Sequence, residues 1–247
     1  VPTLGCSCKV CRSTNPHDSR LRCAALVETD TTRLLIDCGP DIRQQLMPLP
    51  FRRIDGVLLT HMHYDHVGGI DDLRPYCRFG TIPLYGDCKT LRHVRQSMPY
   101  CFPHGLMQRI EKSLPWLKLK LYPGVPSLSL NPIHAHRPFS VGDIEVLPIN
   151  VLHGKLPILG FRIGRNFAYI TDMKSMSEDE LHYLKGVRTL VVNALRFEKP
   201  HHSHQLVADA VAFANKVGAE QTWLIHFNHD IGLETEAQAK LPKNVGL

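Results

Sequence analysis

The 247-residue chain has no apolar stretch approaching the ~20 residues that a membrane-spanning helix needs. Its charge-free apolar runs are short, as at residues 56–60 and 190–192. Nothing at its start reads as a signal peptide. It lacks internal repeats, low-complexity tracts and linkers. Its net charge of +6 favours anionic ligands but falls well short of a dedicated nucleic-acid binder. A disulfide framework is also missing. Of the eight cysteines, Cys6, Cys8 and Cys11 stand too close together for one, and Cys23 and Cys38 lie in apolar runs that read as buried thiols. A chain of this length buries a core without disulfides. These absences predict a protein of the reducing cytoplasm with no membrane partner. The chain starts at Val1 and not at methionine, so an upstream segment is expected.

What is present is histidine, 15 residues of it, in a chain that is 43% hydrophobic and 21% charged. Histidine binds metals and moves protons near neutral pH. The pattern of elements is strands first, then strands alternating with helices. Residues 22–29 and 33–37 read as a hairpin and 41–46 as a short helix. Strands are expected at 56–60, 82–85, 144–149, 160–163, 167–170, 189–193 and 221–225. Helices are expected at 89–97, 178–184 after a Ser177 cap, and 204–217 ended by Gly218. Residues 98–138 are rich in proline and carry few positive charges; they are expected to shape a pocket wall.

The segment Thr60-His61-Met62-His63-Tyr64-Asp65-His66-Val67-Gly68-Gly69 is the strongest signal. His61 and His63 are two residues apart at a strand end, so both rings can point the same way. Asp65 and His66 follow on the turn into a helix. Four such donors in six residues would be expensive to bury without partners. A divalent metal supplies the partner, and imidazole with carboxylate suits zinc, manganese or iron(II). Asp172 and His226 also follow apolar strands, where layered α/β folds build their sites.

His-x-His-x-Asp-His after a strand resembles the signature of the metallo-β-lactamase superfamily. The rest of the chain follows in that order, with Asp37 in Ile36-Asp37-Cys38-Gly39, His153 in Val151-Leu152-His153-Gly154, Asp172 in Tyr169-Ile170-Thr171-Asp172, and His226 in Leu224-Ile225-His226. The resemblance implies a four-layer αββα sandwich formed as a single domain over 1–247, lacking an opening strand that would pair beside residues 22–29. It implies one metal held by His61, His63 and His153, a second held by Asp65, His66 and His226, and Asp172 bridging them around a shared hydroxide. Zinc, manganese or iron would each suit the ligands. Position 63 is histidine where the flavodiiron oxidoreductases carry glutamate, which favours hydrolysis.

Cys6-x-Cys8-x-x-Cys11 offers three thiols to a soft cation, and zinc wants four ligands. The sequence resembles the accessory cyclic phosphodiesterase of phosphonate breakdown, whose zinc knuckle is completed by a histidine three residues past the last catalytic one. Here that residue is His229, and the knuckle spans 5–12. The same branch, with ribonuclease Z, places a proton-donating histidine over the metals. His204, ahead of the helix, matches best and His202 is the alternative; Asp65 is counted with His204 among the catalytic residues. No glycine-rich basic arm for transfer RNA interrupts His153 to Asp172. Lys155 and Arg196 are candidates for holding a second phosphate. The expected function is a metal-dependent phosphodiesterase acting on a small cyclic or nucleotide-like phosphodiester. The alternatives are a tRNA 3′-end endonuclease, a thioester or lactam hydrolase, and a non-catalytic nucleic-acid-binding protein that keeps the metal core.

Overall fold

The computed structural model describes residues 2–102, 113 and 124–247. They fall into two compact units, residues 24–134 with 141–144, and residues 1–23, 135–140 and 145–247. In the first unit, β1 (Ala25–Glu28) and β2 (Arg33–Ile36) form an antiparallel hairpin with Ala25 opposite Ile36 and Glu28 opposite Arg33. Thr29 closes its turn, its Oγ1 accepting from the Thr31 and Thr32 amides. Then come α1 (Ile42–Leu46), β3 (Gly56–Leu58), α2 (Tyr64–Val67), β4 (Ile82–Gly86), α3 (Cys88–Ser97) and β5 (Leu128–Pro132). The sheet order is β1-β2-β3-β4-β5, and β2 to β5 are all parallel. Parallel strands are covered on both faces, which is why Leu34, Leu35 and Ile36 follow one another with no polar alternation and are all buried. The Asp87 side chain caps α3 by accepting from the Thr90 amide, and Leu91 and Val94 on its inner face join Leu35, Val57, Leu59 and Leu84 in the core.

The second unit carries β6 (Phe139–Val141), β7 (Ile144–His153), β8 (Leu156–Ile163), β9 (Phe167–Ile170), α4 (Glu178–Leu181), β10 (Thr189–Asn193), α5 (Val207–Val217), β11 (Gln221–Ile225), α6 (Glu234–Gln238) and β12 (Val245–Gly246), apart from Val141 and Ile144, which belong to the first. The order is β12-β11-β10-β9-β8-β7-β6. β7, β8 and β9 alternate in direction, while β9 to β12 run parallel. The C-terminal ends of β7, β9, β10 and β11 therefore share one edge of the sheet, the edge where open α/β sheets bind ligands. Helix α5 buries Val207, Ala210, Phe213 and Ala214 against this sheet and stops at Gly218, whose φ of +76° suits glycine.

Several expectations need correction. β7 and β8 form one long hairpin reaching His153 and Leu156, so His153 sits at a tight turn and not beyond a short strand. Helix α5 begins at Val207, three residues later than the sequence pattern, because Gln205 is buried and its amides are bonded elsewhere. Ser177 precedes α4 but its side chain makes no cap bond. β5, β6, β12 and helix α6 were not anticipated. Cys38 is fully buried as expected, but Cys23 is only half-buried and lies ahead of β1. About half of the expected pocket wall, residues 103–112 and 114–123, lies outside the described residues. No helix among the described residues is long and apolar enough to cross a membrane.

Candidate active site

The functional donors divide between the two units. In the first, Asp37 follows β2 and Thr60 and His61 follow β3; the two strands are parallel, so these residues lie at one edge of the sheet. Asp37 is fully buried and left-handed, at φ 61°. That turn aims its carboxylate at its neighbours. Oδ1 accepts from the Thr60 amide at 2.9 Å, and the Thr60 hydroxyl donates to the same carboxylate. His66 Nδ1 donates to Oδ2 at 2.7 Å. With Nδ1 so engaged, His66 turns Nε2 toward Asp65 Oδ2, 3.4 Å away. His61 Nε2 and His63 Nδ1 stand 2.9 Å apart. The loop is pinned by the Cys38 amide on the His66 carbonyl at 2.7 Å and the Gly69 amide on the Cys38 carbonyl at 2.9 Å. It closes so tightly that a Cβ on Gly39 would lie 2.0 Å from the Asp65 carbonyl oxygen. Glycine is required there by close approach.

In the second unit His153 ends β7, Asp172 follows β9 and His226 follows β11. Asp172 and His226 are left-handed, at φ 55° and 57°. Of the five described non-glycine residues with positive φ, three are Asp37, Asp172 and His226. Such conformations cost about 1–3 kcal/mol each and cluster at functional sites. The two oxygens of Asp172 face different histidines, Oδ1 lying 3.2 Å from His226 Nε2 and Oδ2 4.0 Å from His153 Nε2. His153 Nδ1 donates to the Ser203 carbonyl at 2.9 Å, which leaves its Nε2 free of the proton. His204 lies against both rings, 4.7 Å from His153 and 4.9 Å from His226 between centroids. Burial pushes its pKa down to about 3, the Asp172 carboxylate opposing and His226, His153 and His201 adding to the fall, so the ring is neutral at pH 7.

These spacings fit metal ligation. Two ligand atoms at ~2.0–2.1 Å from one ion lie about 2.9 Å apart at a right angle and about 3.3 Å apart in a tetrahedron. The His61–His63, His66–Asp65 and His226–Asp172 donor pairs, at 2.9, 3.4 and 3.2 Å, match that range. Both orienting bonds, Asp37 to His66 and Ser203 to His153, are of the kind that fixes a ligating histidine's tautomer.

A third donor set lies wholly in the second unit. Cys6, Cys8 and Cys11 place their sulfurs 3.2, 3.5 and 3.2 Å from His229 Nδ1. A tetrahedral zinc with Zn–S about 2.3 Å and Zn–N about 2.0 Å separates sulfur and nitrogen by about 3.5 Å. The Cys11 amide donates to Cys8 Sγ and, against the cost of desolvation, holds that thiol down to about 6. None of the eight cysteines, all among the described residues, is in a disulfide. Asp18 ties the same N-terminal stretch down, accepting from the Glu234 amide at 2.7 Å and from Ser13.

The remaining sequence candidates are placed as follows. Lys155 is exposed in the turn between β7 and β8. Arg196 donates from Nε to the Lys199 carbonyl and from Nη1 to Asp230. His202 is exposed, its ring 4.3 Å from that of His201. Sequence reasoning missed Asn193 at the end of β10. It is fully buried, and its amide accepts from the Met173 amide at 2.7 Å and donates to the Met173 carbonyl at 3.0 Å, clamping the residue after Asp172. A polar residue closing an apolar parallel strand, as in Val191-Val192-Asn193, was the available signal.

Fold and donors together define a metal-dependent hydrolase, with two candidate histidine–aspartate metal clusters and a separate Cys3His cluster that suits structural zinc. The chain belongs to the β-lactamase superfamily domain family, whose model matches residues 32–227. A solved structure described as a new diphosphatase from the PhnP family is 32% identical, with a TM-score of 0.86, covering 100% of this chain and 88% of that one. The α/β sandwich with mixed sheets is common to both. An octanoyltransferase of Porphyromonas gingivalis is 39% identical over 246 residues, which is 99% of this chain but 47% of that protein, so the chain spans about half its length. The anti-Pycsar protein Apyc1 of Paenibacillus harenae is 28% identical over 84% of this chain and 83% of its own length.

Proposed function

We propose that the chain hydrolyses a small phosphoric diester of the cyclic or nucleotide-like class, with His61, His63 and His153 holding one divalent cation, Asp65, His66 and His226 the other, and Asp172 shared between them. The observation that carries this reading is the Asp172 carboxylate, whose two oxygens face two different histidines. Divalent cations bound there would acidify a water molecule and neutralise charge on the phosphoryl oxygens. The chain's own part is to hold the ligands in the right protonation state and to assist departure of the leaving group. Asp37 and the Ser203 carbonyl keep the ring protons of His66 and His153 on Nδ1. His204, neutral and packed on His153 and His226, donates a hydrogen bond from its imidazole N–H to the leaving oxygen as charge builds there, and water supplies the proton that the departing oxygen takes up. Lys155 remains a candidate for a second anionic group. The similarity to the PhnP-family diphosphatase supports phosphorus as the reacting centre. Eight cysteines without a disulfide among the described residues accord with a reducing cytoplasm.

A second reading rests on the half-length match to the octanoyltransferase, which favours an acyl thioester as substrate. His204 is of little use there, since a thiolate departs without a proton. The test sets bis(4-nitrophenyl) phosphate, 2′,3′-cyclic AMP and an octanoyl thioester side by side with wild type and His204→Ala. The phosphodiesterase reading expects turnover of both phosphates and a ~10²–10⁴-fold loss in His204→Ala on the cyclic nucleotide. It expects little loss on the nitrophenyl ester, whose leaving group needs no proton. Turnover of the thioester alone moves the chain to the second reading.

A further inference from the structure

Arg196 read from sequence as a cation for substrate phosphate, but its surroundings describe something else. Its side chain is 17% exposed. Nε donates to the Lys199 carbonyl at 2.9 Å, bending the chain back through Lys199, whose φ is 61°. Nη1 donates to Asp230 Oδ2 at 3.0 Å. The Arg196 carbonyl accepts from the Val207 amide at 3.0 Å, and the neighbouring Leu195 amide donates to the Gln205 carbonyl at 3.0 Å. Residues 196–206 are therefore a closed loop with Arg196 at its neck, and this loop carries His201, His202, Ser203 and His204.

Asp230, at the other end of the pair, lies one residue past His229 of the cysteine knuckle and four past His226. The Asn228 amide donates to the Leu195 carbonyl at 3.0 Å, and Asn228 Oδ1 accepts from the Asp230 amide at 2.9 Å. The loop that presents His226 and the loop that presents His204 are thus joined twice, once through backbone and once through the Arg196–Asp230 ion pair. Between them His204 and His226 stack at 4.9 Å with their planes 26° apart. The guanidinium donates from Nε to a carbonyl and from Nη1 to a carboxylate, a fork geometry that lysine cannot reproduce.

We infer that Arg196 is a positioning residue: with Asp230 it locks the His204 loop onto the His226–His229 loop and so sets where His204 meets the leaving group. This rests on the role given to His204 above. A displacement of ~1 Å at a reacting centre costs about 10²-fold in rate.

The experiment compares Arg196→Gln, Asp230→Asn, the double variant and Arg196→Lys with His204→Ala, on 2′,3′-cyclic AMP and on bis(4-nitrophenyl) phosphate. Arg196→Gln and Asp230→Asn should each lower kcat on the cyclic nucleotide by ~10–100-fold. Each should leave KM and metal content unchanged and show little loss on the nitrophenyl ester. The double variant should be no worse than either single, and Arg196→Lys should recover only part of the loss. Hydrogen exchange reads the same clamp without turnover. Protection of the Leu195, Val207 and Asn228 amides should fall at least about tenfold in Arg196→Gln. A raised KM on both substrates in Arg196→Gln, with Asp230→Asn unaffected, would make Arg196 a substrate ligand and overturn the inference. Unchanged protection of the three amides would overturn it as well. If His204→Ala itself fails to distinguish the two substrates, the role of His204 is wrong; if it does and Arg196→Gln does not, only the clamp is wrong.

Discussion

Asp37→Asn isolates a single atom of the site. Asp37 Oδ2 is fully buried and accepts from His66 Nδ1 at 2.7 Å, while Oδ1 accepts from the Thr60 amide at 2.9 Å. Asparagine keeps the volume and can keep the Thr60 bond, but it then turns an NH₂ donor toward the Nδ1 proton of His66. Two buried donors cannot face each other, so His66 moves its proton to Nε2, the nitrogen 3.4 Å from Asp65 Oδ2 that a cation would need. If the amide flips, the two Thr60 donors are stranded in its place. The lost charge-assisted bond is worth about 1.5–3 kcal/mol. Taken as about 2 kcal/mol of stability, it lowers the melting temperature of the metal-free protein by ~4–8 °C at this chain length. Orienting groups of this kind are worth ~10–100-fold in metal affinity. Chelator competition with zinc, read alongside thermal melts, measures both. Wild-type zinc affinity in Asp37→Asn, with the melt also unchanged, would refute the claim that Asp37 sets the His66 tautomer.

Three further outcomes concern the loops. Gly39→Ala puts a methyl 2.0 Å from the Asp65 carbonyl oxygen, a backbone clash that no rotamer relieves; it should destabilise by about 3 kcal/mol and reduce bound metal, as a melt and elemental analysis would show. Cys8→Ser should remove one equivalent of zinc, with more loss of stability than of turnover. Because the Cys8 thiol is depressed from 9.0 to about 6, its thiolate contributes stability that is fully present above pH 9 and is lost as pH falls through about 6. The apparent zinc affinity of the knuckle should therefore fall as pH drops below about 6, and an affinity unchanged between pH 6 and pH 4 would contradict it.

Elements whose logic is local were legible. The hairpin of β1 and β2 and the strand running into His61 showed in turn residues and apolar runs, and they appear within a few residues of the expected bounds. The His61–His66 segment, Asp172 and His226 declared themselves by dense polar donors at the ends of apolar strands. What stayed hidden depends on distant partners. The start of α5 is set by Gln205, whose side-chain amide donates to the Asn193 carbonyl at 2.7 Å and whose backbone amide donates to the Met173 carbonyl at 3.2 Å. The reach of β7 to His153 comes from pairing with β8, which overrides Pro148 in its midst. Arg196 could not be told from a solvated cation because Asp230 is 34 residues away. β12 is two residues long, too short to carry a pattern, and exists by pairing with β11.

The central claim is that turnover requires two divalent cations in addition to the zinc of the knuckle. The direct measurement strips the protein with chelator, restores one equivalent of zinc to the Cys6–Cys8–Cys11–His229 set, and follows hydrolysis of bis(4-nitrophenyl) phosphate as manganese or zinc is added. Activity should stay absent after the first equivalent, rise to a plateau over two more, and remain absent throughout for Asp172→Ala. Full activity in the chelated protein, or in Asp172→Ala, would contradict the account.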